Sequence, residues 1–230
     1  MKIVLTSQRE VASEKGARRD ALEQDYIEYY STLGFLLVPV SNQIPDPRAY
    51  FLNLPVFGIL LTGGNSVCPA TFGSARSALS DCSPARDRTE KVLLSEAIAR
   101  DLPVFAECRG LQFLNAYFDG SICECISEEN AHIAREHEID FCDSALVDFL
   151  GATTSSVNSY HSQGISDAER APTLEVFARA RDGSIEGLYH PRLPIAGIMW
   201  HPERESPDPQ MNQKILDAFA ERRLYWRKKQ

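Results

Sequence analysis

A cysteine at the junction of a strand-like and a helix-like segment opens the chemical reading. The run "PVFAE", residues 103–107, is apolar and the right length for a buried strand, and "RGLQFLNAYF", residues 109–118, follows with helical spacing. Between them Cys108 meets the free backbone N–H groups and the positive dipole end of a helix N-terminus. Both favour the thiolate, which is the reactive form of the side chain. The amide of Arg109 can face an oxyanion, and Gly110 lets the helix begin close against the sheet. Ala106-Glu107-Cys108-Arg109-Gly110 thus has the form of a nucleophile elbow, G-x-S-x-G, with alanine in place of the first glycine. Taken alone, the stretch fits a buried structural thiol equally well.

A thiol nucleophile needs a base, and the base needs a group that fixes its tautomer. "MWHPERE", residues 199–205, supplies both: His201 leaves an apolar strand just before Pro202, and Glu203 stands two residues on. Residues two apart in an extended segment share one side of the chain, so the carboxylate can reach the imidazole. Cys108, His201 and Glu203 are therefore the candidate catalytic triad. In "LLTGGNS", Gly63 and Gly64 follow a buried strand and can bring bare N–H groups beside the thiol, although a tight turn without chemistry explains them as well.

The elements needed to place these groups alternate. "KIVLTS", "FLLVPV", "VFGILL" and "PVFAE" are apolar on both faces and are separated by helical patterns over residues 14–33 and 87–100, which argues for a parallel sheet covered by helices on both sides. Residues 65–86 are polar and irregular and are expected to form a surface excursion. The second half changes character: "EIDF", "VNSYHS", "LEVFARARDGSIEGLYHP" and "IAGIMWHPE" are strand-like segments joined by turns, an antiparallel extension leading to a last strand. "DPQMNQKILDAFAERRLYWRKK" closes the chain as a helix whose basic end complements its dipole. One α/β domain over residues 1–230 is expected.

Composition narrows the partners. A net charge of −8 disfavours non-specific binding to nucleic acid or to an anionic membrane. The N-terminal apolar run is too short for a signal peptide and no stretch approaches a membrane span, so a cytoplasmic protein is expected. Six cysteines without a disulfide framework agree with that compartment. Cys123 and Cys125 form C-x-C rather than a zinc-ribbon pair, and no cofactor or metal is called for. His132 and His137 in "AHIAREHEIDF" read as structural or peripheral, and His190 in "YHPRLP" as a turn residue.

Taken together, "LTGGN", "CRGLQFLN", "NSYHSQ" and "GIMWHPE", in that order over nearly the whole chain, resemble the class I glutamine amidotransferase superfamily and, within it, the γ-glutamyl hydrolase branch. The resemblance implies a flavodoxin-like α/β fold, a central mostly parallel sheet flanked by helices. It also implies hydrolysis of a γ-glutamyl amide through a Cys thioester. Carried over, Cys108 is the nucleophile, His201 the acid and base, and Glu203 its orienting partner, with the amides of Gly64 and Arg109 as the oxyanion hole. Asn65, Gln112, Tyr160, His161 and Ser162 would hold the glutamyl unit. Two departures stand out: Ala106 replaces the usual glycine, and Glu107 puts an acid beside the nucleophile. Strand alternation should turn Glu107 away from Cys108, into a supporting position.

The N-terminal "SQREVASEKGARRDALEQDY" and the ending "HPERE" are similar to a subgroup acting on γ-glutamyl-CDP-amidate in the phosphoramidate decoration of capsular polysaccharide. A diphosphate leaving group in an acidic protein wants guanidinium forks, and Arg9, Arg19 and Arg204 are the candidates. Gln8 and Arg9 follow the first strand, where open parallel sheets place their clefts. Three alternatives stay open: a glutaminase subunit passing ammonia to a partner, a hydrolase of small γ-glutamyl amines, and a non-catalytic binding module. The partner expected here is a small-molecule γ-glutamyl amide, with a homo-oligomer left open.

Overall fold

The computed structural model describes residues 1–72, 81–123 and 132–223. Its centre is a nine-stranded sheet in the order β4-β1-β5-β6-β11-β10-β9-β7-β8. Five of these strands are parallel: β4 (Phe35–Pro39), β1 (Lys2–Thr6), β5 (Val56–Leu61), β6 (Val104–Glu107) and β11 (Ile195–Ile198). The other four, β10 (Ile185–Tyr189), β9 (Glu175–Ala180), β7 (Ile133–Phe141) and β8 (Thr154–Tyr160), continue the sheet antiparallel. This is the α/β architecture expected, with the antiparallel extension in the C-terminal half.

The parallel strands are buried on both faces because helices cover both, and alternate residues separate into two cores. Val4, Leu60, Phe105 and Ile198 pack with Tyr26 and Tyr30 of α1 (Gln24–Thr32) and Phe219 of α6 (Pro209–Ala220). Their neighbours Leu5, Ile59, Leu61, Val104 and Ala106 pack instead with Leu93 and Leu94 of α3 (Pro84–Ala99) and Leu111 and Phe113 of α4 (Arg109–Tyr117). Each such fully buried side chain contributes about 1.5–3 kcal/mol of transfer free energy. Two short helices, α2 (Arg48–Asn53) and α5 (Ser144–Leu150), complete the set. α5 was not legible in the sequence despite its Asp143 cap, which accepts from the Ala145 N–H at 2.9 Å, and its left-handed Gly151 stop. No helix among the described residues is long and apolar enough to cross a membrane.

Two expectations need correction. The helix predicted over 14–33 forms only from Gln24 to Thr32. The residues before it make a hairpin of β2 (Arg9–Ala12) and β3 (Arg18–Ala21), turned by Gly16 at φ +78°. The Arg18 guanidinium pairs with Glu10 across the strands, and Asp20 accepts from the Asn42 side chain at 2.8 Å and so ties the hairpin to the end of β4. Nor is 65–86 wholly a surface excursion: Asn65, Val67 and Cys68 are buried, and α3 begins at Pro84, capped by Ser83. Part of that segment, together with Cys125 and the basic end after Arg223, lies outside the described residues.

Candidate active site

The C-terminal ends of β1, β5, β6 and β11 converge on an open cleft of about 390 Å³, which is where open α/β sheets place their ligands. Cys108 stands on the corner between β6 and α4 with φ 50° and ψ −109°, a conformation costing a non-glycine residue about 1–3 kcal/mol. The corner is over-determined by its surroundings. Cys108 N–H donates to the Ile198 carbonyl at 2.8 Å, and Gly110 lies so close to β5 that a Cβ there would stand 2.2 Å from the Leu61 oxygen. Ala106, the departure from the usual glycine, is accommodated across the ladder: its register partner on β11 is Gly197, where a Cβ would meet the Ala106 methyl at 2.9 Å.

His201 lies between the other two members of the candidate triad. Its Nδ1 is 2.7 Å from Glu203 Oε1, and its ring is within hydrogen-bond reach of the Cys108 thiol. Asn158 on β8 clamps the turn that carries it, accepting from His201 N–H at 2.8 Å and donating to the carbonyls of His201 and Glu205 at 2.7 and 2.8 Å. Burial alone would lower the proton affinity of His201, but the Cys108 thiolate and then Glu203 outweigh it and raise the imidazole well above its ordinary range. Burial also opposes charge on Glu203, yet the His201 imidazolium and its hydrogen bond hold that carboxyl below its ordinary value. The arrangement puts an imidazole of raised proton affinity, oriented by a carboxylate, beside the Cys108 thiol, which is the base a nucleophilic cysteine needs.

Two free backbone amides flank the thiol. Gly63 N–H is committed to the Tyr26 hydroxyl at 3.0 Å, which leaves the amide of Gly64 at φ +109° for the cleft. A Cβ at Gly64 would clash with Arg9 at 2.8 Å and Arg86 at 2.9 Å, so the loop requires glycine there. Arg109 is the first residue of α4 and its amide has no intrahelical acceptor. Its side chain turns the other way, into a buried network: it pairs with Asp87 and Glu90 of α3 and donates to the Asn65 carbonyl at 3.0 Å. Arg86 completes the network with Glu90 at 2.8 Å and donates to the Thr62 and Gly63 carbonyls at 2.6 and 2.8 Å. Two guanidinium groups thus brace the glycine loop from behind. Sequence reasoning placed Arg86 in the polar excursion over 65–86 and used Arg109 only for its amide, so neither side chain was foreseen in this role.

The remaining candidates divide. Arg9, Gln112, Tyr160, Ser162 and Arg204 line the cleft. Arg9 pairs with Glu23 at 2.8 Å, while the Arg204 guanidinium lies 4.3 Å over the Tyr160 ring and 3.7 Å from Glu203. Gln112 donates to the Gln163 carbonyl at 3.0 Å and so fixes the segment around Ser162. Asn65 borders the cleft, but its amide exchanges hydrogen bonds with the Glu10 backbone at 2.7 and 2.9 Å, which pins the hairpin to the glycine loop. Gln8 does not reach the cleft; it donates to the Val40 carbonyl at 3.1 Å. Arg19 borders a separate groove with Asp20 and Gln43. His161 also borders the cleft, but its Nε2 turns toward Glu186, 3.7 Å away, and with His132 and His137 it belongs to a second cluster behind it. His190 is the turn residue expected, its Nδ1 accepting from the Arg192 and Leu193 amides at 3.1 Å.

Glu107 occupies the face that alternation assigns it, with Phe105 and away from Ala106. The Tyr30 hydroxyl donates to it, and its carboxyl faces that of Glu203 within hydrogen-bond reach. Burial and then the charge of Glu203 push the Glu107 carboxyl well above the usual range, so of these two buried acids Glu107 is the one held neutral. Glu107→Gln, which keeps a neutral donor, is expected to hold kcat/KM within about threefold of the wild type. Glu107→Ala should cost about tenfold and about 2 kcal/mol of stability by urea unfolding. An inactive Gln variant would show that a charge at 107 is required.

Comparisons with known proteins bear on the fold and the family. Protein NtpR of Enterococcus hirae is 30% identical over 200 residues, covering 81% of this chain and 82% of that protein. The γ-glutamyl-γ-aminobutyrate hydrolase PuuD of Escherichia coli is 29% identical over 224 residues, covering 89% and 87%. Among solved structures, the glutaminase domain of Trypanosoma brucei CTPS aligns over 100% of this chain and 97% of its own, with a TM-score of 0.64 at 13% identity. A glutamine amidotransferase of Thermotoga maritima aligns over 96% and 83%, with a TM-score of 0.58 at 13% identity. These identify the fold as that of class I glutamine amidotransferases. The peptidase C26 model matches residues 3–203, from the first parallel strand through the elbow to the carboxylate behind the imidazole, and the chain belongs to that family.

Proposed function

We propose that the protein hydrolyses a γ-glutamyl amide through a glutamyl thioester on Cys108. The observation that carries this reading is the alignment of Cys108, His201 and Glu203 at the floor of a cleft bordered by the amides of Gly64 and Arg109. The thiolate attacks the γ-carbonyl carbon, and the two amides receive the oxyanion. His201 then gives its proton to the departing nitrogen, the C–N bond breaks, and the amine leaves. Water, deprotonated by His201, attacks the thioester; the C–S bond breaks, releasing glutamate and restoring the thiolate. Gln112 and the backbone from Tyr160 to Ser162 hold the α-amino and α-carboxylate groups of the glutamyl unit. The family, and relatives such as the E. coli γ-glutamyl-γ-aminobutyrate hydrolase, support this bond class.

For the leaving group we favour the diphosphate of γ-glutamyl-CDP-amidate, which gives cytidine diphosphoramidate for capsule modification. The support is Arg9 and Arg204, both bordering the mouth of the cleft and both partly exposed. The second reading, a small γ-glutamyl amine ending in a carboxylate, is favoured by the named activity of the E. coli relative, and the same guanidinium groups suit it. A panel of γ-glutamyl amides scored by glutamate release decides between them: the CDP-amidate should give the highest kcat/KM, and preference for γ-glutamyl-γ-aminobutyrate would favour the second reading. Arg9→Ala and Arg204→Ala should each weaken the nucleotide amidate about tenfold more than glutamine itself. Equal losses on both substrates would remove the diphosphate argument.

A further inference from the structure

Behind the cleft, the antiparallel half of the sheet gathers three imidazoles around one carboxylate. His132 precedes β7, His137 lies on it, His161 follows β8, and Glu186 lies on β10. His132 Nδ1 and His161 Nε2 both stand 3.7 Å from Glu186 Oε1, and His137 Nε2 stands 3.9 Å from Glu186 Oε2. These separations are too long for hydrogen bonds. All five inward atoms are buried and have no hydrogen-bond partner among the described residues. The nearby Ser184 hydroxyl is no help, since it donates to Asp182 at 2.7 Å.

The outward nitrogens show why. His161 Nδ1 is 3.0 Å from the Gln163 carbonyl, His137 Nδ1 is 3.3 Å from the Glu138 carbonyl, and His132 Nε2 is 2.9 Å from the Asp182 carboxylate. Oxygens of that kind only accept, so each outward nitrogen carries the hydrogen. In the neutral ring the inward nitrogen is then a bare lone pair, and three ring nitrogens face the Glu186 carboxyl with no bond to it. Unpartnered buried acceptors in this number are costly unless a cation occupies the centre.

We propose that the cluster is a binding site for one divalent transition-metal ion, held by His132 Nδ1, His137 Nε2 and Glu186, with His161 Nε2 as a fourth ligand. The donor atoms of the first three already lie within 4.8 Å of one another. A tetrahedral ion with bonds of about 2.1 Å sets its ligands ~3.4 Å apart, so the contacts to Glu186 need shorten only slightly. Imidazole and carboxylate ligands suit zinc, cobalt or nickel rather than calcium or magnesium. The outward hydrogen bonds are the supports that ligating histidines ordinarily have, the His132–Asp182 pair being the carboxylate–histidine form. The bound ion ties β7, β8 and β10 together directly beneath Tyr160 and Ser162 of the cleft.

The test uses the full chain without an affinity tag, in a Cys108→Ala background so that the active-site thiol cannot ligate. After dialysis against a chelator, Zn(II) is titrated by calorimetry and Co(II) by its visible absorption. One equivalent of each is expected, with a cobalt spectrum typical of four or five nitrogen and oxygen ligands and no sulfur charge-transfer band. Adding His137→Gln or Glu186→Gln should weaken binding at least about 100-fold. The His137 ring is partly exposed and its replacement is expected to leave the fold intact, so that variant carries the test if Glu186→Gln does not fold. Failure to take up either ion would overturn the proposal, leaving a shared proton at the centre of the cluster. Undiminished uptake by the His137→Gln protein would overturn it too, since the ion would then sit elsewhere.

Discussion

Cys108→Ala is expected to abolish glutamate release, lowering kcat/KM by at least about 10⁴-fold, while leaving the thermal melt within a few degrees of the wild type. The fold should survive because the strained corner is held by its neighbours and not by the thiol: the 108 N–H still reaches Ile198, and Gly110 still packs on Leu61. An alanine carries the same backbone strain as the cysteine, so stability changes little. The substitution also has a signature at His201. The thiolate is the largest influence raising that imidazole, and burial alone lowers it. Without the sulfur, the proton affinity of His201 must therefore fall, and its ring resonances should titrate at lower pH in the variant than in the wild type. His201→Asn should be comparably inactive. Substantial turnover by either purified protein would remove the assigned role.

Arg109→Met is expected to be the most damaging substitution for stability outside the apolar core, costing about 3–5 kcal/mol in urea unfolding. In the wild type, Arg86 and Arg109 face Asp87 and Glu90, two positive and two negative charges in a fully buried cluster. Removing one guanidinium leaves an uncompensated negative charge among groups that have no access to water. Arg109→Lys should recover only part of the loss, because an ammonium restores charge but not the fork that reaches Asp87, Glu90 and the Asn65 carbonyl together. Activity should fall less than in the Cys108 variant, since the 109 backbone amide remains. The glycine loop loses one of its two braces and Gly64 is placed less well, so the defect should appear mainly in kcat. A stability loss below 1 kcal/mol would contradict a buried, charge-balanced network.

The chain announced its parallel half and its chemistry more clearly than their supports. Strands such as "VFGILL" and "PVFAE" are legible because burial on both faces leaves continuous apolar runs, and the cysteine at the end of one of them needs only local backbone geometry to be noticed. The hairpin over Arg9–Ala21 was hidden by residues 14–33, whose Ala21, Leu22, Tyr26, Tyr29 and Tyr30 keep helical spacing across the strand-to-helix boundary before Gln24, with Gly16 the one sign of the turn. Asn158 had a visible signal, a lone amide in the alternating run "VNSY", but its partner His201 lies 43 positions away. Tyr26 and Arg86 carried none, because their bonds to the Gly63 backbone close loops that no local pattern records. Gln8 and Arg19 were placed by position along the chain, and in each case the side chain turned elsewhere.

The central claim, a glutamyl thioester common to every substrate, is tested most directly by partitioning with hydroxylamine. During turnover of several γ-glutamyl amides, added hydroxylamine competes with water for the acyl group, and γ-glutamyl hydroxamate and glutamate are measured together. A shared thioester predicts a hydroxamate-to-glutamate ratio that rises with hydroxylamine concentration and is the same for every leaving group, with neither product formed by the Cys108→Ala protein. Glutamate release without hydroxamate, or a ratio that changes with the leaving group, would contradict it.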